Sequence, residues 1–200
     1  MSEPRARWST TDDLDDAHLW ARLQARDEYA FRVLFTRHNK VVYNFAFRHC
    51  ASWSMAEDVT QSTFASLWRR ARTDSVDDLR GDSARPVLLA TARNEASNAM
   101  RASKRHLRVV DKVERTACPE SDNVADWVAD ESAMRQINEI LQRVPDNQQV
   151  VIEMVAWAGL EMTEVATALG VPVGTVKSRL NRARRKLATT EIAAMLGGGL

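Results

Sequence analysis

The strongest chemical signal in this chain is a run of cations with no counter-ions among them. Between Gly170 and Leu187, "GVPVGTVKSRLNRARRKL" holds Lys177, Arg179, Arg182, Arg184, Arg185 and Lys186 and no acid, in a sequence of 200 residues whose formal net charge is only +1. Helical spacing of about 100° per residue gathers Val176, Leu180, Ala183 and Leu187 into one sector. Gly174, Ser178, Asn181, Arg182 and Arg185 fall opposite, with Lys177, Arg179 and Lys186 on the flanks. One side of such a helix packs inward and the other is polar and positive. Its width fits the major groove of B-DNA, about 12 Å across. Gly174 and Thr175 stand in the first turn, where unpaired amides and the helix dipole attract a phosphate. Ser178, Asn181 and Arg182 are donors of the kind that read base edges, while the other cations hold phosphates and set register.

A charge run is often no more than a solvated face. The residues before this one favour more. A short helical stretch from about Thr163 to Leu169, then Gly170-Val171-Pro172, then the basic helix of Val173 to Leu187 is the order of a helix-turn-helix. In that motif the first helix crosses the DNA backbone and the second enters the groove. DNA is the expected ligand.

Catalytic and metal chemistry find no comparable support. The four histidines, His18, His38, His49 and His106, are scattered without a nucleophile, base and orienter, a phosphate loop or a metal motif around them. Cys50 and Cys118 are far apart and form no CxxC pair, so both are read as reduced thiols. No catalytic residue, metal site, cofactor or small-molecule substrate is expected. No stretch approaches the roughly 18 apolar residues of a membrane span, and Met1 to Thr11 lacks the apolar centre of a signal peptide. A cytoplasmic protein without direct membrane insertion is expected.

The elements that must position these groups are helices. Apolar residues recur at three- and four-residue steps and sustained alternation is absent, which predicts an all-α fold. Asp27 caps a helix over Glu28 to about Cys50, with Phe31, Leu34, Phe35, His38, Val41, Val42 and Phe45 inward. Ser54 and Glu57 have capping-box spacing for a helix from Met55 to about Arg72. A polar loop over Thr73 to Arg85 precedes a helix running to about His106, with Pro86 in its first turn. Glu131 to Val144 is predicted helical, and Asp146 caps the next helix, which ends near Gly159. Charge divides the chain further. Arg93 to Arg108 holds five basic residues against Glu95, whereas Val109 to Glu131 holds seven acids against Lys112 and Arg115. The expected organisation is a tail over 1–11, a helical domain over 12–108, an acidic flexible linker over 109–130 and a helix-turn-helix domain over 131–200. Two cationic helical surfaces are thus expected to be held apart by an anionic tether.

Region by region the chain resembles the extracytoplasmic-function (ECF, group IV) sigma factors, two-domain bacterial initiation factors. "VPDNQQVVIEMVAWAGLEMTEVATALGVPVGTVKSRLNRARRKL" resembles their promoter −35-binding region 4, and "GVPVGTVKSRLNRAR" is its most specific stretch. "EYAFRVLFTRHNKVVYNFAFR", "AEDVTQSTFASLW" and "ARNEASNAMRASKR" resemble region 2, in the family's order. The resemblance implies that Asp58, Gln61, Ser62, Phe64 and Trp68 help dock on a coiled coil of the polymerase β′ subunit, although Phe64 and Trp68 read equally well as core. It implies a second polymerase contact, at the β flap. It implies that the loop Asp77 to Ser83, and then Arg93, Asn94, Asn98, Arg101, Lys104 and Arg105, recognise and open the −10 element. Asparagines can bond a base turned out of the stack, and the cations can follow its strand.

The sequence departs from the family pattern at Val87 for tryptophan, Asn98 for aspartate, Gln149 for arginine and Glu161 for serine. The acidic connector resembles the linker that passes through the polymerase active-centre and RNA-exit region, where its carboxylates would repel RNA; the alternative reading is that Trp127 marks an early helix packed against a domain. A separate anti-sigma protein is a common arrangement in the family. The competing reading is a stand-alone, dimeric helix-turn-helix regulator, distinguished by tight binding to a palindromic site without polymerase.

Overall fold

A computed structural model describes residues 14–109 and 124–188, with side chains placed for 14–105 and 129–188. The tail over 1–11 and the connector from 110 to 123 lie outside the described residues. Helices make up the fold, and among the described residues there is no strand.

The N-terminal half contains α1 (Asp16–Gln24), α2 (Glu28–Cys50), α3 (Trp53–Arg72) and α4 (Arg85–Val109). Helix α2 starts where its capping chemistry predicts: the Asp27 carboxylate accepts from the amides of Tyr29 and Ala30. Helix α3 starts two residues earlier than expected. Its cap is Ser52, whose hydroxyl accepts from Met55 N–H at 3.4 Å, while Ser54 is exposed within the first turn. Helix α1 was not anticipated. Asp15 caps it by accepting from His18 N–H at 2.8 Å, and Leu19, Trp20 and Leu23 bury one side of it. These join Leu34, Val42 and Phe45 of α2, Val59, Phe64 and Leu67 of α3 and Leu88, Leu89 and Ala92 of α4 in a continuous core. Each large aliphatic side chain buried in this way contributes about 1.5 to 3 kcal/mol.

The C-terminal half contains α5 (Val124–Leu141), α6 (Asp146–Ile152), α7 (Met162–Leu169) and α8 (Val173–Ala188). Helix α5 begins at Val124, ahead of the expected start at Glu131. Pro145, not Asp146, is the N-cap of α6, so the Asp146 carboxylate is left for another partner. A π-helical turn, Glu153–Trp157, follows α6 directly, a wide turn of a type that recurs at functional sites. At α7, the Glu164 carboxylate accepts from Glu161 N–H at 2.8 Å and supplies half of a capping box where the cap residue is itself a glutamate. Gly170 closes α7 at φ +63°, a conformation that favours glycine. Val151, Met154, Val165, Val176, Leu180 and Ala183 are buried between α6, α7 and α8.

The two halves are not held apart. Helix α4 packs on α7 and α2 on α5, and polar bonds stitch the seam. Arg48 donates to the Trp157 carbonyl at 2.8 Å and Arg85 to the Ala158 carbonyl. The Asn138 amide donates to the carbonyls of Arg48 and His49 at 2.9 and 3.0 Å, and Glu131 accepts from Trp53 N–H at 2.8 Å. The π-helical turn thus hands the carbonyls at its end to arginines of the N-terminal half.

Candidate nucleic-acid interface

Helix α8 has the two faces its sequence prescribes. Val176, Leu180, Ala183 and Leu187 are buried, whereas Gly174, Lys177, Asn181, Arg182, Arg184, Arg185 and Lys186 are exposed. Thr175, Ser178 and Arg179 are half-buried. Lys177, Arg179, Arg182, Arg184 and Arg185 form no ion pair with any described residue, so their charge is directed to solvent. The Ser178 hydroxyl donates to the Thr175 carbonyl at 3.0 Å, which leaves the oxygen lone pairs as its outward function. Arg184, one of the cations expected to hold phosphates, belongs to the same exposed surface.

The second basic surface lies on α4. Asn94, Asn98, Arg101, Lys104 and Arg105 are exposed, and steps of four, three and four residues set Asn94, Asn98, Arg101 and Arg105 along one side. Arg101 donates to the Asn98 side-chain oxygen at 3.1 Å, which orients that amide with its NH₂ still available. Arg93 is different. It is 6% exposed, and its guanidinium donates to Glu153 at 3.2 Å and to Asp146 at 2.5 Å. The expectation that Arg93 lies open to DNA is corrected for this conformation: carboxylates from the C-terminal half cover it. Sequence reasoning could not find them, since they lie 53 and 60 positions away.

The loop from Asp77 to Ser83 is fastened at both ends by α1. The Trp20 indole N–H donates to the Asp77 carbonyl at 3.0 Å, and Gln24 donates to the Val76 carbonyl and to Asp78. At the other end, Asp16 accepts from the Ser83 hydroxyl at 3.2 Å and the Ala84 amide at 2.8 Å. Arg37 and His38 bond the same carboxylate at 2.7 and 2.8 Å. Burial alone would raise the pKa of Asp16, but the bonds from His38, Ala84 and Arg37 outweigh it and hold the carboxyl well below the usual range. Sequence reading missed this helix; the available signal was Asp15, a capping residue type, ahead of Leu19, Trp20 and Leu23 at helical spacing.

On α3, Asp58, Gln61 and Ser62 are exposed on one surface. Phe64 is not available for docking: it is 2% exposed and packs edge-on against Phe31 and Phe35. Trp68 is half-buried with its ring 5.1 Å from Phe31. Phe35, expected inward, is instead 37% exposed. With Asn39, Lys40, Tyr43, Glu57 and Gln61 it lines a groove of about 310 Å³ beside the exposed α3 surface. Its place at the edge of the apolar stripe is where a helix turns from core to solvent.

Among the described residues no group of three or more His, Cys, Asp or Glu could hold a metal ion, and no helix is long and apolar enough to cross a membrane.

Residues 34–106 match the Sigma-70 region 2 family and residues 134–187 match Sigma-70, region 4. The ECF RNA polymerase sigma factor SigK of Mycobacterium tuberculosis (strain H37Rv) is 30% identical over 178 residues, covering 88% of this chain and 92% of the relative. SigL of M. tuberculosis (strain Erdman) is 31% identical over 169 residues, 83% of this chain and 91% of the relative. CnrH, solved in complex with the cytosolic domain of CnrY, shares the fold with a TM-score of 0.64 at 24% identity, over 89% of this chain and 97% of that one. RpoE, solved with the anti-sigma factor NepR from Bartonella quintana, shares it at 0.51 and 23%, over 78% and 93%. Both family regions are present in order and the likeness runs nearly the length of the curated relatives, which disfavours a stand-alone dimeric regulator. The chain therefore belongs to the ECF RNA polymerase sigma factors, initiation factors that direct polymerase to promoters.

Proposed function

We propose that the chain works by dividing promoter recognition between α8 and α4, and polymerase attachment between α3 and the C-terminal half. Helix α8 enters the major groove of the −35 element. Gly174 and Thr175 sit at a phosphate, Asn181, Arg182 and Ser178 face base edges, and Lys177, Arg179, Arg184, Arg185 and Lys186 track the backbone. Asn94, Asn98, Arg101, Lys104 and Arg105, with the loop fastened by α1, receive the separated −10 strand. Arg93 joins them once the two halves part. Asp58, Gln61 and Ser62, beside the groove at Phe35 and Tyr43, meet the β′ coiled coil, and the C-terminal half meets the β flap. Phe64 and Trp68 support that surface from within. The functional division runs over 12–108 and 131–200, joined through the acidic stretch of 109–130. The protein works in the cytoplasm and no covalent step is assigned to it.

The observation that carries this reading is the cationic outer face of α8, on which Lys177, Arg182, Arg184 and Arg185 are exposed and form no ion pair with any described residue, backed by four buried apolar side chains. An anti-sigma protein is a further partner in this reading. It is supported by the relative RpoE, which was solved with one.

Core polymerase supplies the test. The purified chain is expected to copurify with core enzyme and to confer promoter-specific transcription on it. Replacing Asp58, Gln61 and Ser62 together by alanine should abolish copurification while leaving thermal unfolding unchanged, since all three side chains are exposed. Retained copurification would remove the docking role from α3.

A further inference from the structure

Glu153 belongs to the C-terminal half, yet the two side chains that bond its buried carboxylate oxygen, Arg93 and His49, belong to the other. Its side chain is wholly buried; one carboxylate oxygen lies 3.2 Å from Arg93 Nε and 3.2 Å from His49 Nδ1. Among the described residues of its own half, its side-chain partner is neutral: Gln149 donates to it at 2.7 Å. A carboxylate stripped of water needs compensating charge, and here that charge exists only while the halves are docked. Asp146, 81% exposed, completes the enclosure by bonding the other end of the Arg93 guanidinium at 2.5 Å.

His49, Arg93 and Asp146 also line one open cleft. Of about 550 Å³, it is bounded by Arg93, Asn94, Ser97, Arg101 and Lys104 on one wall and by Asn138, Gln142, Asp146 and Gln149 on the other. A strand laid along Lys104, Arg101 and Asn94 therefore runs into Asp146. The carboxylates occupy Arg93 as two phosphate oxygens would, with charge-assisted bonds from a planar guanidinium.

We propose that α6 and the start of the π-helical turn after it form an intramolecular stand-in for the −10 strand: Asp146 and Glu153 hold Arg93 in a clasp between the halves, and DNA and clasp exclude each other. This rests on the assignment of α4 to the −10 element. In the clasped chain the residues most buried in the cleft are withheld from nucleic acid. Polymerase, by separating the halves, releases Arg93 at the moment it is needed.

A native reporter sits at the seam. Burial, and then the charge of Glu153, push the Cys50 thiol up to about 12, so its alkylation is slow while the clasp is closed. The test uses the full chain with Cys118→Ser, so that Cys50 alone reports. D146N and D146N/E153Q are compared with E139Q, which removes the same charge from an exposed site on α5. D146N alone keeps the test open if the double variant folds poorly, because Asp146 is 81% exposed. N-ethylmaleimide should modify Cys50 about tenfold faster in D146N, which leaves the Glu153 charge beside the thiol in place, and a labelled single-stranded −10 oligonucleotide should bind the free chain of both clasp variants about tenfold more tightly, in the range usual for coupled sites. E139Q should change neither, and transcription by the holoenzyme should be unchanged in all three. Equal alkylation and equal binding in parent and clasp variants would overturn the clasp. Faster alkylation without tighter binding would overturn the sharing of Arg93 with DNA. The underlying assignment is tested separately by R93A in the holoenzyme: unaltered promoter opening would refute a −10 role for Arg93 whatever Cys50 reports.

Discussion

Replacing Asp16 by asparagine keeps the shape of the side chain but removes the negative charge on which Arg37, His38, Ser83 and Ala84 converge. The side chain is 6% exposed, so Arg37 and His38 would lose a desolvated partner, and a cost of about 3 kcal/mol is expected. The sign of the pH dependence follows from the lowered pKa. Folding that depresses an acid's pKa is strengthened by its ionised form, fully above the unfolded value of about 4 and progressively less as pH falls below it. Urea midpoints measured at pH 7 and near pH 3 should therefore fall more in the parent than in D16N. If the two fall equally, Asp16 is not the fastening of the loop. None of this was legible in the sequence, because no helix was expected at Asp16 and its partners lie 21 to 68 positions away.

Helix α8 was legible almost entirely. Its apolar seam needs only the period of a helix, and its charge needs only counting. The outcome of substitutions there is correspondingly specific. Arg182→Ala should weaken −35 binding by about 1 to 3 kcal/mol and change base preference if the contact is bidentate, whereas Lys186→Ala should weaken all sequences evenly. Competition binding with substituted −35 duplexes distinguishes them, and equal, sequence-blind losses from both would show the faces misassigned. Helix α2 was equally readable, from its Asp27 cap to Cys50. The ends of α3 and α5 were not. Ser52 and Ser54 both offer a capping hydroxyl, and it is Ser52 that caps; the acids before Glu131 suggest a solvated tether while Trp127 suggests an early helix, and the helix does run back to Val124. The π-helical turn leaves no period of its own in five residues.

At the scale of the whole molecule, the proposed division of DNA reading between α8 and α4 makes promoter geometry part of the specificity. Tethering raises effective concentration only when both sites can be reached together. Inserting about 5 bp, half a helical turn, between the −35 and −10 elements should cut holoenzyme transcription at least tenfold; an indifferent rate would mean that the two halves act separately. The separation of surfaces was expected from charge, but their docking was not. Composition reports how much charge each half carries, whereas the Arg93 to Glu153 pairing depends on which faces meet. The exposed position of Asp146 on that pairing has a consequence for cells holding several initiation factors. A substitution there would shift the abundance at which this one wins its share of a limited polymerase pool, while leaving its choice of target genes intact.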